Sequence, residues 1–270
     1  MSDATSRAEM PKGSQSVLDR RTVINSNANL LNLVKRGDRV LDVGCGTGAI
    51  TKDIAGLVGA EGYVLGIDTS EHLISQAQSV YQQLANLSFS VADINTFQSE
   101  QLFDVVTSAR VLQWLAKPAD VVIQMASLVK PGGCLTILDY NHEKVEFSPS
   151  IPASMEDFYS AFLRWRTDAG MDNAISDHLD DMFLNAGLET VTSSDYSEIS
   201  IRGQKNFTDD VALWSIVAQV RGPQLVADGY ITEAARQAAI NDYNRWIDAD
   251  AQYMKLYLRA VTGYRPSANR

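Results

Sequence analysis

Short apolar runs alternate with amphipathic segments along the first half of the chain. The runs are five or six residues long, which suits buried strands, and the segments between them carry apolar residues at helical spacing. The pattern predicts strands over residues 39–43, 62–67, 87–91, 103–107 and 133–138, with helices such as 73–84 and 119–129 between them. This alternation is typical of a mostly parallel sheet with helices on both faces. We therefore predict a doubly wound α/β fold.

The flanking segments add helices and one more strand. Residues 1–13 are polar and predict a disordered tail, after which one or two helices precede the first strand. From 145 to 250 the apolar spacing is helical, with helices predicted over 175–186, 209–220 and 232–248, so this region is expected to add bulk rather than sheet. Residues 254–263 alternate as a last strand. We expect 14–270 to form a single domain.

Composition narrows the classes of partner. The 270 residues carry 23 Lys+Arg and 33 Asp+Glu, a formal net charge of −10, which repels a phosphate backbone and makes nucleic acid an unexpected partner. The first residues lack the apolar core of a signal peptide, and no run is long and apolar enough to span a bilayer. We therefore expect a cytoplasmic protein that does not enter a membrane. We also expect no bound metal, because the spacing typical of metal ligands is missing.

A glycine-rich turn follows the first predicted strand. Residues 40–48 read VLDVGCGTG, which places Gly44, Gly46 and Gly48 where the chain turns from strand to helix, and Asp68 follows twenty residues later. Glycine lets the backbone turn sharply and approach a ligand closely. A carboxylate only accepts hydrogen bonds, so Asp68 at the tip of the second strand can hold two ribose hydroxyls. The pair predicts a nucleoside cofactor, and the alternative is a purely structural turn.

Five ordered motifs resemble those of the class I S-adenosylmethionine-dependent methyltransferases. They are DVGCGTG at 42–48, Asp68, VADI at 91–94, FDVVT at 103–107 and LVKPGG at 128–133, and together they cover about residues 38–140. The resemblance implies a Rossmann-like sheet of seven strands, with an antiparallel last strand at 254–263. It also implies a cofactor-binding core at 14–140 and a helical cap or substrate region at 145–250. The implied cofactor is S-adenosyl-L-methionine.

The resemblance also implies roles for individual residues. The glycines pass close to the methionine part of the cofactor, and Asp42 lies behind the loop and organises the amino group of that part. Asp68 binds the ribose hydroxyls, and Asp93 accepts from the adenine amine. The full set implied for cofactor binding is Asp42, Gly44, Cys45, Gly46, Gly48, Asp68, Thr69, Asp93, Ile94, Ala109 and Arg110. Arg20 and Arg21 either approach the cofactor carboxylate or, as we favour, lie on a solvated helix face.

The acceptor site is predicted from several less specific signals. The run RVLQWL at 110–115 resembles a segment of methyltransferases that esterify small carboxylates, and aromatic residues share one face of the first cap helix. These signals select Gln113, Trp114, Tyr140, Phe158, Tyr159 and Phe162 as substrate-binding residues. For the aromatic residues the alternative is ordinary helix packing. For Arg110 it is an ion pair with a local acid instead of an anionic acceptor.

His142 is the candidate general base, because it follows the carboxyl end of the fifth strand, where ligands of open α/β sheets gather. The alternatives are a structural loop histidine, or no base at all if the acceptor is a carboxylate. The overall prediction is methyl transfer to oxygen, nitrogen or carbon of a small molecule. Two other functions stay open: an NAD-dependent oxidoreductase and a non-catalytic nucleoside-binding regulator. The sequence does not predict the oligomeric state.

Overall fold

The fold is known from a computed structural model, which describes Arg7 and residues 19–267. The disordered tail predicted at 1–13 lies outside the described residues, apart from Arg7. The strands are β1 (Arg39–Val43), β2 (Tyr63–Asp68), β3 (Leu87–Val91), β4 (Phe103–Ala109), β5 (Val129–Ser148), β6 (Glu189–Asp195), β7 (Glu198–Ile201) and β8 (Tyr253–Tyr264).

The strands form one sheet in the order β3-β2-β1-β4-β5-β8-β6, with β7 also paired to β8. The five neighbouring strands β3, β2, β1, β4 and β5 are parallel, and β8 runs antiparallel to β5. The order reverses at β1, which lies between β2 and β4. Ligands of doubly wound sheets bind outside the carboxyl ends of the strands at such a reversal. The predicted doubly wound α/β class is confirmed.

Helices cover the sheet and form the cap. They are α1 (Val23–Ser26), α2 (Ala49–Val58), α3 (Glu71–Tyr81), α4 (Pro118–Ser127), α5 (Ala153–Asp168), α6 (Ile175–Asn185), α7 (Phe207–Val211), α8 (Leu213–Val220), α9 (Gly222–Ala227) and α10 (Glu233–Ala249). Short 3₁₀ turns occupy Ala28–Asn32 and Leu112–Trp114. No helix within the described residues combines the length and the apolar character that crossing a bilayer requires.

Three large hydrophobic clusters form most of the core of the described residues. Val40 of β1 packs in a cluster with α2 and α3, and the next residue, Leu41, packs in a second cluster with α4 and α6. Because successive side chains of a strand point to opposite faces, these clusters cover the two faces of the sheet. A third cluster joins α5, α8 and α10 to β8, and it attaches the cap to the sheet.

Two predictions about the second half were wrong. The region after residue 145 adds β6 and β7 to the sheet, which has eight strands instead of seven, and the helix predicted over 209–220 is divided between α7 and α8. β6 pairs with residues 259–264 of β8 and β7 with residues 253–256, so the two short strands share one edge position. β6 has no apolar alternation and is largely exposed. In β7 the short alternation is inverted, because Ser200 is buried while Ile199 and Ile201 are exposed.

Candidate active site

The glycine turn lies directly beyond β1 and is held against the end of β2. The backbone N–H groups of Gly44 and Cys45 donate to the carbonyl oxygen of Ile67, at 2.8 and 3.1 Å. Gly44, Gly46 and Gly48 have φ values of 76°, 53° and 78°, in the left-handed region that favours glycine. A Cβ atom on Gly44 would lie 2.3 Å from Cγ2 of Val111. The turn therefore needs glycine at position 44 for both its conformation and its packing.

Asp68 organises the turn through its carboxylate. Its Oδ2 accepts from the backbone N–H of Gly46 at 2.9 Å, and its Oδ1 accepts from that of Ser70 at 2.9 Å. Each carboxylate oxygen has a second lone pair, so both can still accept from a ribose hydroxyl. Two fixed hydrogen bonds hold the half-buried carboxylate at the tip of β2. This geometry fits the predicted ribose contact.

Asp42 lies behind the turn and is buried. Its Oδ2 accepts a 2.7 Å hydrogen bond from the Thr51 hydroxyl on α2. Burial raises the pKa of Asp42 to about 6; the Thr51 hydrogen bond opposes this shift, and the negative charge of Asp68 adds to it. The bond from Thr51 links the end of β1 to the helix that follows the glycine turn.

The other predicted cofactor residues follow the strand ends in the same way. Asp93 lies beyond β3, exposed, and its Oδ1 accepts from both nitrogens of Asn95. Ile94 is buried beside it, and Thr69 is exposed beyond β2. Ala109 ends β4, half-buried. The predicted residues therefore meet at the carboxyl edge of β1 to β4, and their individual contacts with a cofactor stay predictions.

Arg110 connects this edge to three other elements. Its backbone has φ 63°, and its buried guanidinium makes three hydrogen bonds. Nε donates to the Tyr140 hydroxyl at 3.0 Å, Nη1 to the Ser26 carbonyl oxygen at 2.7 Å and Nη2 to the Glu198 carboxylate at 2.5 Å. The local ion pair that was the alternative for Arg110 is thus present in the structure.

A cavity of about 680 Å³ opens beside Arg110. Its wall comes from the segment before and along α1, from β7, and from α7 and α8, with Leu138, Tyr140, Met254 and Leu256 at the sheet. Arg110 and Tyr140 are the two predicted site residues on this wall. The glycine turn, Asp68 and Asp93 are not part of it, so the cavity is distinct from the predicted nucleoside end of the site.

The remaining predicted acceptor residues form a layer behind the cavity. Phe158 and Phe162 are buried in the cap core, and Gln113 is buried beside them. Trp114 lies between the guanidinium groups of Arg166 and Arg221, whose Cζ atoms are 4.7 and 4.6 Å from its ring centroid. Tyr159, the last member of the set, also lies off the wall and donates to the carbonyl oxygen of His142 at 2.5 Å. Their contact with an acceptor stays a prediction.

His142 lies within β5, which extends to Ser148, and not beyond its carboxyl end as predicted; it is buried in the same layer and does not line the cavity. Its Nε2 is 2.6 Å from Oε1 of Gln113, and its Nδ1 is buried without a hydrogen-bond partner among the described residues. Its ring centroid is 5.3 Å from that of Tyr140 and 6.1 Å from that of Trp214. Burial and the positive charge of Arg166 lower the pKa of His142 well below its usual range, so the ring is neutral at pH 7.

The structure adds residues that the sequence did not single out. Asn27 is 1% exposed and lines the cavity, and both polar atoms of its side chain lack a partner among the described residues. Glu198 on β7 supplies the partner of Arg110. Arg20 and Arg21 precede α1 instead of forming a helix face, and both line the cavity. No local pattern signals Glu198, because the isoleucines of β7 lie on its exposed face and its polar residues face inward.

Comparison with known proteins defines the class. Residues 34–187, more than half of the chain, match the model of a family described as a methyltransferase domain. The chain therefore belongs to this family and, with its fold and motifs, to the class I S-adenosylmethionine-dependent methyltransferases. The family's cofactor is S-adenosylmethionine, in agreement with the sequence prediction and in preference to the NAD-dependent alternative.

Individual relatives match more distantly. A protein in transposon TN4556 of Streptomyces fradiae is 28% identical over 217 residues, which cover 78% of this chain and 57% of that protein. A ubiquinone biosynthesis O-methyltransferase of Coxiella burnetii is 36% identical over 104 residues, which cover 37% of this chain and 42% of that enzyme. The chain thus spans about half the length of these relatives. The fold is also similar to that of phosphoethanolamine N-methyltransferase 2 of Haemonchus contortus, solved with phosphomonomethylethanolamine and S-adenosylhomocysteine. The TM-score is 0.55 at 16% sequence identity, and the match covers 89% of this chain and 53% of the Haemonchus chain.

A substitution at Gly44 tests the packing of the turn. Gly44→Ala should lower the free energy of unfolding by roughly 1–2 kcal/mol, because a non-glycine residue is strained in the left-handed conformation. The clash with Val111 should lower it further, by about 1–3 kcal/mol. Gly37→Ala is the matched control, because Gly37 has φ 85° and open space around its Cα, so only the first cost applies. Urea denaturation measures both. Equal losses in the two variants would contradict the tight contact, and Val111→Ala should restore part of the stability of Gly44→Ala.

The hydrogen bond between Thr51 and Asp42 predicts that removing the Thr51 hydroxyl lowers stability by an amount that depends on pH. The pKa of Asp42 is raised from 3.8 to about 6, so the native state binds the proton more tightly and the contribution of Asp42 to stability falls as pH rises through this range. Because the Thr51 bond favours the charged form, Thr51→Val should cost about 1.5–3 kcal/mol at pH 7.5. The loss should shrink at pH 5. Urea denaturation at both pH values measures it, and a loss independent of pH would contradict the assignment.

Proposed function

We propose that this protein transfers a methyl group from S-adenosylmethionine to a small molecule that binds in the cavity beside Arg110. The observation that carries the proposal is that the cavity borders Arg110, which directly follows the predicted cofactor residue Ala109 at the end of β4. Acceptor and cofactor sites would then meet at the carboxyl edge of the sheet. The net charge of −10 supports a small molecule over a nucleic acid.

The residues at the strand ends fit the proposed cofactor. Asp68 presents a fixed carboxylate with free lone pairs for the ribose, and Asp93 is exposed at the next strand end. The buried amide of Asn27 has no partner in the described part of the chain and adjoins Arg110 on the cavity wall, where it can bind a polar ligand group. When bound, S-adenosylmethionine supplies a methyl group on a positively charged sulfur, which leaves as a neutral thioether.

The main task of the protein is then to align the reacting groups and exclude water. Alignment of this kind can lower a barrier by roughly 7–11 kcal/mol. The wall that would fix the acceptor is rigid, since Tyr140 and Arg110 are buried and hydrogen-bonded to each other. The neutral ring and free Nδ1 of His142 would suit a base, but its position off the cavity wall favours transfer by alignment.

Cofactor binding and methyl transfer test the proposal. Calorimetry with the purified protein should detect binding of S-adenosylhomocysteine and none of NAD. Incubation with S-adenosylmethionine labelled in its methyl group and a metabolite extract should then place label in a small-molecule fraction. Label found only in RNA or protein would contradict the proposed acceptor class. Absence of S-adenosylhomocysteine binding would contradict the proposed function itself.

Asp68→Asn tests the proposed ribose contact. The amide keeps one acceptor oxygen, so part of the hydrogen bonding to the hydroxyls is lost, and affinity for S-adenosylhomocysteine should fall by about 10-fold or more, since hydrogen bonds to charged groups contribute about 1.5–3 kcal/mol. Asp104→Asn is the control, because Asp104 lies at the opposite end of β4 and binds the backbone N–H of Arg39 and the Lys130 amine. Calorimetry should show unchanged affinity for this control. Equal affinity in both variants would mean that Asp68 does not bind the ribose.

A further inference from the structure

The inner end of the cavity beside Arg110 carries an arginine without a counter-ion. Arg21 is half-buried on the cavity wall, and within the described residues its guanidinium makes neither a hydrogen bond nor an ion pair. Burial, and then the positive charge of Arg110, lower the pKa of Arg21, while Tyr140, Glu198 and Asp139 oppose this shift. Removing a cation from water without a partner is unfavourable, and a bound anion would offset this cost.

A second, independent feature of the same wall points to a ligand. Asn27 is 1% exposed, and neither its Nδ2 nor its Oδ1 has a partner in the part of the chain that the structure describes. Buried amide groups of this kind are normally hydrogen-bonded. The Tyr140 hydroxyl accepts from Arg110, so its own proton is free for another acceptor. The inner wall thus offers hydrogen-bond donors from Arg21, Asn27 and Tyr140.

The acidic residues of the cavity wall are Asp195, Glu198, Asp209 and Asp210, and most already have partners. Asp209 is 68% exposed and pairs with Arg20 at 3.1 Å, and Glu198 pairs with Arg110. Asp195 is exposed and accepts from the backbone N–H of Ser197 at 2.7 Å. Asp210 is exposed to water, which screens its charge. Because Arg20 pairs with Asp209 and Arg110 pairs with Glu198, Arg21 is the arginine of the cavity wall that has no ion pair among the described residues.

We propose that this inner end, formed by Arg21, Asn27 and Tyr140, binds an oxyanion of the methyl acceptor, a carboxylate or a phosphate. A guanidinium presents two parallel N–H donors that match both groups, and the partly buried site strengthens the contact. The proposal rests on the proposed function, because it assigns the cavity to the acceptor. The cofactor's own carboxylate is the competing source of the anion, and the cavity wall includes none of the glycine turn.

Anion binding to the cofactor-loaded protein tests the proposal. Calorimetry of the protein saturated with S-adenosylhomocysteine, titrated with malonate and with inorganic phosphate at low salt, should show binding of at least one. Neutral malonamide should not bind. Malonate binding alone would indicate a carboxylate and phosphate binding alone a phosphate. Arg21→Gln should weaken the binding by about 10-fold or more, because a charged hydrogen-bonded contact is lost.

Arg20→Gln is the matched control, because the neighbouring Arg20 is exposed and pairs with Asp209. It should change anion affinity by no more than about twofold, as expected for a surface ion pair. The proposal is overturned if neither anion binds the wild-type protein, or if Arg20→Gln weakens binding as much as Arg21→Gln. It is also overturned if Arg21→Gln weakens the binding of S-adenosylhomocysteine, since Arg21 would then bind the cofactor. Loss of S-adenosylhomocysteine binding by the wild-type protein would instead contradict the proposed function.

Discussion

The arrangement of the site depends on the hydrogen bonds of the Arg110 guanidinium. One side chain joins the end of β4 to the Ser26 carbonyl beside α1, to Tyr140 on β5 and to Glu198 on β7. A left-handed conformation costs a non-glycine residue roughly 1–2 kcal/mol, whereas hydrogen bonds to a charged group contribute about 1.5–3 kcal/mol each. Three such bonds therefore outweigh the strain at φ 63° and keep the guanidinium at the junction of sheet and cap.

A layer of buried polar groups extends this junction into the cap. Gln113 donates to the Arg110 carbonyl oxygen at 3.1 Å, and Arg166 of α5 donates to the Gln113 carbonyl oxygen at 2.8 Å. Asp139 accepts from the backbone N–H groups of Tyr140 and Gln113, and burial raises its pKa to about 6. These bonds join the end of β4 to α5 through Gln113, so they hold the cap on the sheet. The rigidity of the cavity wall follows from this layer.

The sequence predicted the nucleoside end of the site because its signals are local. A glycine turn, a carboxylate at a strand tip and a parallel strand order place Gly44, Asp68 and Asp93 at one edge without knowledge of distant contacts. The cap was less predictable. The strand β7 buries a serine and exposes two isoleucines, so its register comes from pairing with β8 rather than from its own pattern. The partner of Arg110, 88 residues away, depends on that register.

Membership of the family does not identify the acceptor, because most of the cavity wall lies outside the region that matches the family. The matched region ends at residue 187, and within the cavity wall it includes Arg110, Leu138 and Tyr140, while the rest of the wall comes from the segment around α1, from β7 to α8 and from β8. Those segments lie before or after the region that the family shares. The motifs of the predicted cofactor site thus lie within the matched region, whereas the proposed acceptor contacts include Arg21, which lies before it.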